Sequence, residues 1–311
     1  MSRISATLLP PVRLHKTIPM STFHPRNLHR DGYDFDSLTK VYPSLQPYVI
    51  RNPAGEPTIS FSDPEAVKAL NTALLIGHYG VQHWDIPDGY LCPTVPGRAD
   101  YLHHLADLLA AGGPLLRGKD IRILDIGTGA NLIYAILGQR IYDWSVVGTE
   151  VDPLALKTAK ALIGINPVLQ KGIRLRQQKD RRSILEGIIR EHDFFHATVC
   201  NPPFYASEAE AAEANARKRK NLKLGTVGRT VAGQPAELWT EGGERSFLLQ
   251  LIRESQAYGQ QVGWFTSLVS QKDNVEPLGQ ALEKAGAKAV KVIPLAAGQK
   301  RARVLAWRFQ E

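Results

Sequence analysis

The sequence predicts an α/β fold: a Rossmann-like, mostly parallel sheet with an antiparallel edge hairpin, preceded by an N-terminal extension. Three observations predict it. After Gly118, short apolar runs alternate with helical patterns, the signature of a parallel sheet covered on both faces. A glycine-containing turn, Asp125-Ile126-Gly127-Thr128-Gly129-Ala130-Asn131, joins the first run to the first helix. Two apolar runs close the chain with no helix between them.

The elements follow in order. Residues 22–60 are rich in Pro, Asn, Asp, Gly and aromatics and read as irregular. Ser62-Asp63-Pro64-Glu65 is a helix start, with a cap, a proline in the first turn and an acid. A second helix is expected from about Ala99 to Ala111, closed by Gly112-Gly113. Strands are expected at Ile121–Ile126, Trp144–Thr149, Ile173–Gln177 and Ala197–Cys200, with helices at Leu132–Leu137, Pro153–Ile163 and Ser183–Arg190. A helical stretch at Ala206–Ala216, a helix at Glu244–Tyr258, a strand at Gln261–Leu268 and a helix at Val275–Ala285 come next. Ala289–Ile293 and Arg303–Phe309 form the hairpin.

Composition bounds the setting. The chain has 311 residues, 43% of them apolar, and a formal charge of +8. That balance favours an acidic partner, most commonly nucleic acid. No run of 18 apolar residues suggests a membrane span, and Met1–Met20 lacks the apolar core of a secretory signal. Two cysteines, Cys92 and Cys200, cannot build a disulfide framework, which fits a cytoplasmic protein. The histidines lack metal-ligand spacing, so no metal is expected.

The turn at Asp125 is a cofactor loop. Gly127 and Gly129 let the backbone turn tightly and approach a ligand. A nicotinamide fingerprint would need a third glycine where Leu132 stands. Asp125, at a strand end, instead suits the cationic methionine part of S-adenosylmethionine, with Asn131 closing the loop. Glu150 ends the second strand and can accept both ribose hydroxyls, whereas Asp152 reads as a helix cap before Pro153.

Asn201-Pro202-Pro203-Phe204 follows the fourth strand, on the side where open α/β sheets bind ligands. An adenine N6 amine is a poor nucleophile because its lone pair is delocalised. The Asn201 side-chain oxygen and the Pro202 carbonyl can each accept an N6 hydrogen and aim that lone pair at a methyl group. The prolines fix the backbone, and Phe204 can stack on the base. The long connection from Tyr205 to Leu238 contains Arg217-Lys218-Arg219-Lys220, Lys223 and Arg229 without an acid, which suits RNA phosphates. Arg26 and Arg30, interleaved with aromatics in residues 23–30, are candidates of the same kind. Lys179, Arg181 and Arg182 form a second basic loop, and Lys300, Arg301 and Arg303 a third.

Seven blocks carry a resemblance: FHPRNLHRDGY (23–33), CPTVPGRADY (92–101), DIGTGANLIY (125–134), GTEVD (148–152), NPPFYAS (201–207), GGERSF (242–247) and GQKRARVLAWRF (298–309). With them the sequence resembles the bacterial 23S ribosomal RNA (adenine-1618-N6) methyltransferase family, over nearly the whole chain after about residue 22. The resemblance implies a class I S-adenosylmethionine-dependent methyltransferase core, and a cofactor contact for Arg98. It implies an RNA-binding extension with helices (22–117) ahead of the core (118–311), while the residues themselves read as a flexible leader (1–21) and a basic insertion at 205–240. The implied partner is 23S ribosomal RNA or a large-subunit assembly intermediate, with no membrane and no oligomer. Methylation of a protein glutamine or a DNA adenine, or a non-catalytic RNA-binding assembly role, are the competing readings.

Overall fold

The computed structural model describes residues 23–207, 209, 210, 213, 239–297 and 300–311. The leader, most of the Ala206–Ala216 stretch, and Arg217, Lys218, Arg219, Lys220, Lys223 and Arg229 lie outside the described residues.

The extension opens with a segment pinned to a helix far along the chain. His24 N donates to Asp100 Oδ1 at 2.6 Å, and Asn27 Nδ2 donates to the Pro96 carbonyl at 3.0 Å. Helix α1 (Phe35–Val41), a 3-10 turn (Pro43–Tyr48) and a two-stranded ribbon, β1 (Val49–Arg51) with β2 (Pro57–Ile59), follow. Helix α2 (Pro64–Tyr79) starts as the sequence predicts: the Asp63 side chain accepts from Glu65 N, and Gly80 closes it in a left-handed conformation. Helix α3 spans Val95–Ala110. It begins a turn earlier than the expected Ala99 because Pro96 occupies the first turn, where its missing N–H costs nothing.

The core contains β3 (Arg122–Ile126), α4 (Ile133–Tyr142), β4 (Ser145–Glu150), α5 (Pro153–Ile165), the short α6 (Pro167–Gln170), β5 (Ile173–Gln177) and β6 (Phe195–Cys200). After the insertion come α7 (Gly243–Ser255), β7 (Val262–Val269), α8 (Val275–Lys284), β8 (Ala289–Ala297) and β9 (Lys300–Arg308). The seven strands order as β5-β4-β3-β6-β7-β9-β8. The first five run parallel, and β9 joins β7 and β8 antiparallel. The edge hairpin is therefore present, and longer than expected.

Ser183–Arg190 is not a helix, contrary to its apolar pattern; it is a series of turns. The reason is a carboxylate from elsewhere. Glu254 of α7 accepts the backbone N–H groups of Ile184, Leu185 and Glu186. The apolar side chains of Ile184, Leu185, Ile188 and Ile189 still pack into the core under α7 and β7.

One hydrophobic cluster runs through extension and core. It joins Leu45, Leu74 and Leu105 to Ile123, Leu137, Trp144 and Ala306. Tyr101 of α3 shares a 2.7 Å hydrogen bond with Thr266 of β7. Helix α3 thereby fixes Arg98, one turn before Tyr101, against the mouth of the sheet.

Candidate active site

The strand order reverses at β3, which has β4 on one side and β6 on the other. A crevice opens at such a switch point, beyond the carboxyl ends of the strands. The register sets what borders it. Ile126 pairs with Thr149 on β4 and with Cys200 on β6. The glycine loop, Glu150 and Asn201 therefore leave neighbouring strands at one level.

The loop's backbone supplies its shape. Gly127 and Gly129 take φ of 69° and 65°, values that favour glycine. Leu132 also has a positive φ, 55°, at the N-cap of α4. That conformation costs a leucine about 1–2 kcal/mol. Leu132 is fully buried in the main cluster, and burying a leucine is worth about 1.5–3 kcal/mol. The packing offsets the strain, and this is how the loop forms without a third glycine.

Asp125 is fully buried. Its Oδ2 accepts from Thr128 Oγ1 at 2.6 Å, while its Oδ1 has no partner. Burial raises its pKa to about 7; the Thr128 hydrogen bond and the charge of Arg98 act the other way, and Glu150 adds to the rise. A buried half-satisfied carboxylate fits a cationic ligand group. Glu150 accepts from Gly129 N at 3.0 Å, Val151 N at 2.7 Å and Asp152 N at 2.9 Å. Burial is the main cause raising its pKa, against those three amides. A carboxylate offers about four lone-pair sites, so Glu150 keeps capacity for a hydroxyl. Asp152 caps α5 through Leu154 N, as the sequence predicts, and also receives the Tyr90 hydroxyl.

Arg98 donates to the Tyr134 hydroxyl at 3.0 Å and lies 5.4 Å from the centre of that ring. Asn131 is internal to the loop: its Oδ1 accepts from Ile133 N, and its carbonyl receives the Trp84 indole N–H at 3.0 Å. These contacts fit S-adenosylmethionine: an acid at the strand end, a second at the ribose position and a backbone that approaches closely.

Across the crevice, Asn201 is half-buried and its Oδ1 is sealed with no partner among the described residues. Pro202 is buried, and Pro203 and Phe204 are half-buried. The chain returns beside this segment at Trp239, which bridges Tyr205, while Thr240 N donates to the Tyr205 carbonyl at 3.0 Å.

The expected RNA contacts divide. Arg26 donates to Asp107 Oδ1 at 2.6 Å and to the His103 carbonyl at 2.9 Å, so it braces the extension on α3. Arg30 is exposed, with its Nε 3.4 Å from Asp31. Thr128, Tyr134 and Trp239 were missed. Thr128 had one legible signal: only glycine fits at 148, where a Cβ would lie 2.9 Å from Thr128 Oγ1. Among the described residues, no group of three His, Cys, Asp or Glu could hold a metal, and no helix is long and apolar enough to cross a membrane.

Known proteins resemble this chain over nearly its full length. The RNA methyltransferase family matches residues 18–311. The ribosomal RNA large subunit methyltransferase F of Cronobacter sakazakii is 54% identical over 288 residues, covering 92% of this chain and 93% of that protein. Its Klebsiella pneumoniae counterpart is 52% identical over 289 residues, covering 93% and 95%. Among solved structures, the human METTL16 catalytic domain in complex with MAT2A 3'UTR hairpin 1 aligns with a TM-score of 0.79 at 32% identity, covering 94% of this chain and 96% of that one. The N-terminal domain of human METTL16 in complex with SAH aligns at 0.75 and 29%, covering 94% and 100%.

Proposed function

We propose, from the premise that this chain belongs to the RNA methyltransferase family, that it methylates the N6 amine of an adenine in 23S ribosomal RNA. The chain is an S-adenosylmethionine-dependent ribosomal RNA methyltransferase; the 23S molecule, its cytoplasmic setting and the residue roles are our reading. The observation that carries those roles is the pair of unpartnered buried oxygens, Asp125 Oδ1 and Asn201 Oδ1, leaving adjacent strands.

When bound, S-adenosylmethionine supplies an electrophilic methyl on a sulfonium. Asp125, Gly127, Gly129, Asn131, Glu150 and Arg98 would hold it. Asn201 Oδ1 and the Pro202 carbonyl would each take one N6 hydrogen, and Phe204 would stack on the base, worth ~1–3 kcal/mol. The N6 lone pair forms the new N–C bond as the S–C bond breaks, with its electrons staying on sulfur. The extra proton on nitrogen then leaves to solvent, so no strong base is needed. Positioning supplies most of the rate. Arg30 and the basic residues 217–223 would track RNA phosphates, with Arg26 acting chiefly through the fold. The substrate is 23S RNA or an assembly intermediate, and the enzyme acts as a monomer.

The test is labelled methyl transfer to ribosomal RNA from cells lacking the protein, followed by nucleoside analysis. N6-methyladenosine in 23S RNA that disappears with Asn201→Ala supports the assignment. Label in protein or DNA alone, or tight RNA binding without transfer, defeats it.

A further inference from the structure

The acceptor side holds a second buried polar atom with no partner among the described residues. It is the indole Nε1 of Trp239. The residue lies at the far end of the insertion and returns to the reacting segment, bridging Tyr205 four residues after Asn201. Indole nitrogen only donates. A buried donor left unpaired is costly, and at a site it marks a place for an acceptor that arrives with the ligand. The chemistry proposed for Asn201 to Phe204 makes no use of it.

We infer that Trp239 is a base-reading residue: its indole N–H donates to the ring nitrogen beside the target amine, N1 or N7 of adenine, while Asn201 Oδ1 accepts from N6. This deepens the adenine assignment above and rests on it. One acceptor and one donor on the same segment would match an amine next to an unprotonated ring nitrogen. Uracil fails the match, because it turns a carbonyl oxygen toward the Asn201 oxygen and the ring N–H beside it toward the indole N–H. The O6–N1 edge of guanine fails in the same way, and its N2 amine beside N3 must be excluded by where that edge sits on the purine ring. Cytosine offers the same pair through N4 and N3, so hydrogen bonding alone admits it. Ring size and stacking on Phe204 must then exclude cytosine.

The experiment pairs a protein change with a base change. Synthetic RNA carries adenosine, 1-deazaadenosine or 7-deazaadenosine at the target, and Trp239→Phe keeps an aromatic ring but removes the N–H. Loss of one neutral hydrogen bond predicts a fall in kcat/KM of roughly tenfold. One analogue should lower the wild-type value by that factor, Trp239→Phe should lower the adenosine value similarly, and the two together should lose no more than either alone. Losses that multiply for both analogues, or wild-type rates unmoved by either, overturn the inference. Benzothienylalanine at 239, which replaces only the N–H by sulfur, repeats the test if the phenylalanine variant binds SAH poorly. A wild-type enzyme inactive on unmodified adenosine instead defeats the underlying adenine assignment.

Discussion

On the donor wall of the crevice, Thr128 fixes one oxygen of Asp125 and three amides fix Glu150. On the acceptor wall, neither Asn201 Oδ1 nor Trp239 Nε1 has a partner among the described residues. The first wall is preorganised by its own loop. The second would, on the proposed roles, be completed by what binds. Such a division would separate cofactor affinity from base recognition, and the two walls should respond to substitution independently.

The largest effect should break the acceptor wall alone. Asn201→Ala should lower kcat by about 10²–10³-fold, the loss typical of a positioned transition-state contact. Calorimetric affinity for SAH should stay within about twofold of wild type; a parallel loss would mean the walls are not separable. Asp125→Asn is the mirror experiment. Losing a charged partner should weaken S-adenosylmethionine binding by about 1.5–3 kcal/mol. The pH dependence sharpens it. Burial holds Asp125 near 7 in the free protein, and the cation binds the ionised form. Affinity should be level above pH 7 and fall below it, approaching tenfold per unit. Proton release measured in two buffers checks this, and Asp125→Asn should flatten the profile. A flat wild-type profile would reassign the cation to another group.

Smaller effects should come from behind the donor wall. Gly148→Ala drives a methyl into Thr128 and should cost about 1–3 kcal/mol in stability, read as a lower Tm together with weaker SAH binding. Glu254→Gln keeps the shape but removes the charge that holds the amides of 184–186. It should cost about 1 kcal/mol and speed hydrogen exchange at those amides, leaving methyl transfer unchanged.

What could be read from the sequence follows the same division. That Asp125, Glu150 and Asn201 come together was legible because each lies at or next to the end of a strand, and the parallel register brings strand ends together. The cap role of Asp152 was legible from local geometry. Ser183–Arg190 was misread because its apolar spacing is helical while its amides are captured by Glu254, some seventy residues on. Trp239 was illegible for a related reason: only the return of the chain past the insertion brings it to Tyr205. Arg26 reads as an RNA contact by its neighbours, and its pairing with Asp107 of α3, 81 residues on in sequence, leaves no mark on that reading. Long-range polar pairing leaves no local trace.

The shared hydrophobic cluster also sets an order of events at birth. Helix α3 packs on α4 and on β8, and its Tyr101 hydroxyl waits for Thr266, 165 residues later. The face of α3 that meets β8 therefore cannot be covered until the last hairpin is made. Folding of this kind is slow, because distant segments must meet before contacts reward them. Until the final strands emerge, α3 exposes an apolar face that invites chaperones or aggregation. Truncation near the C-terminus should consequently unfold the N-terminal end first.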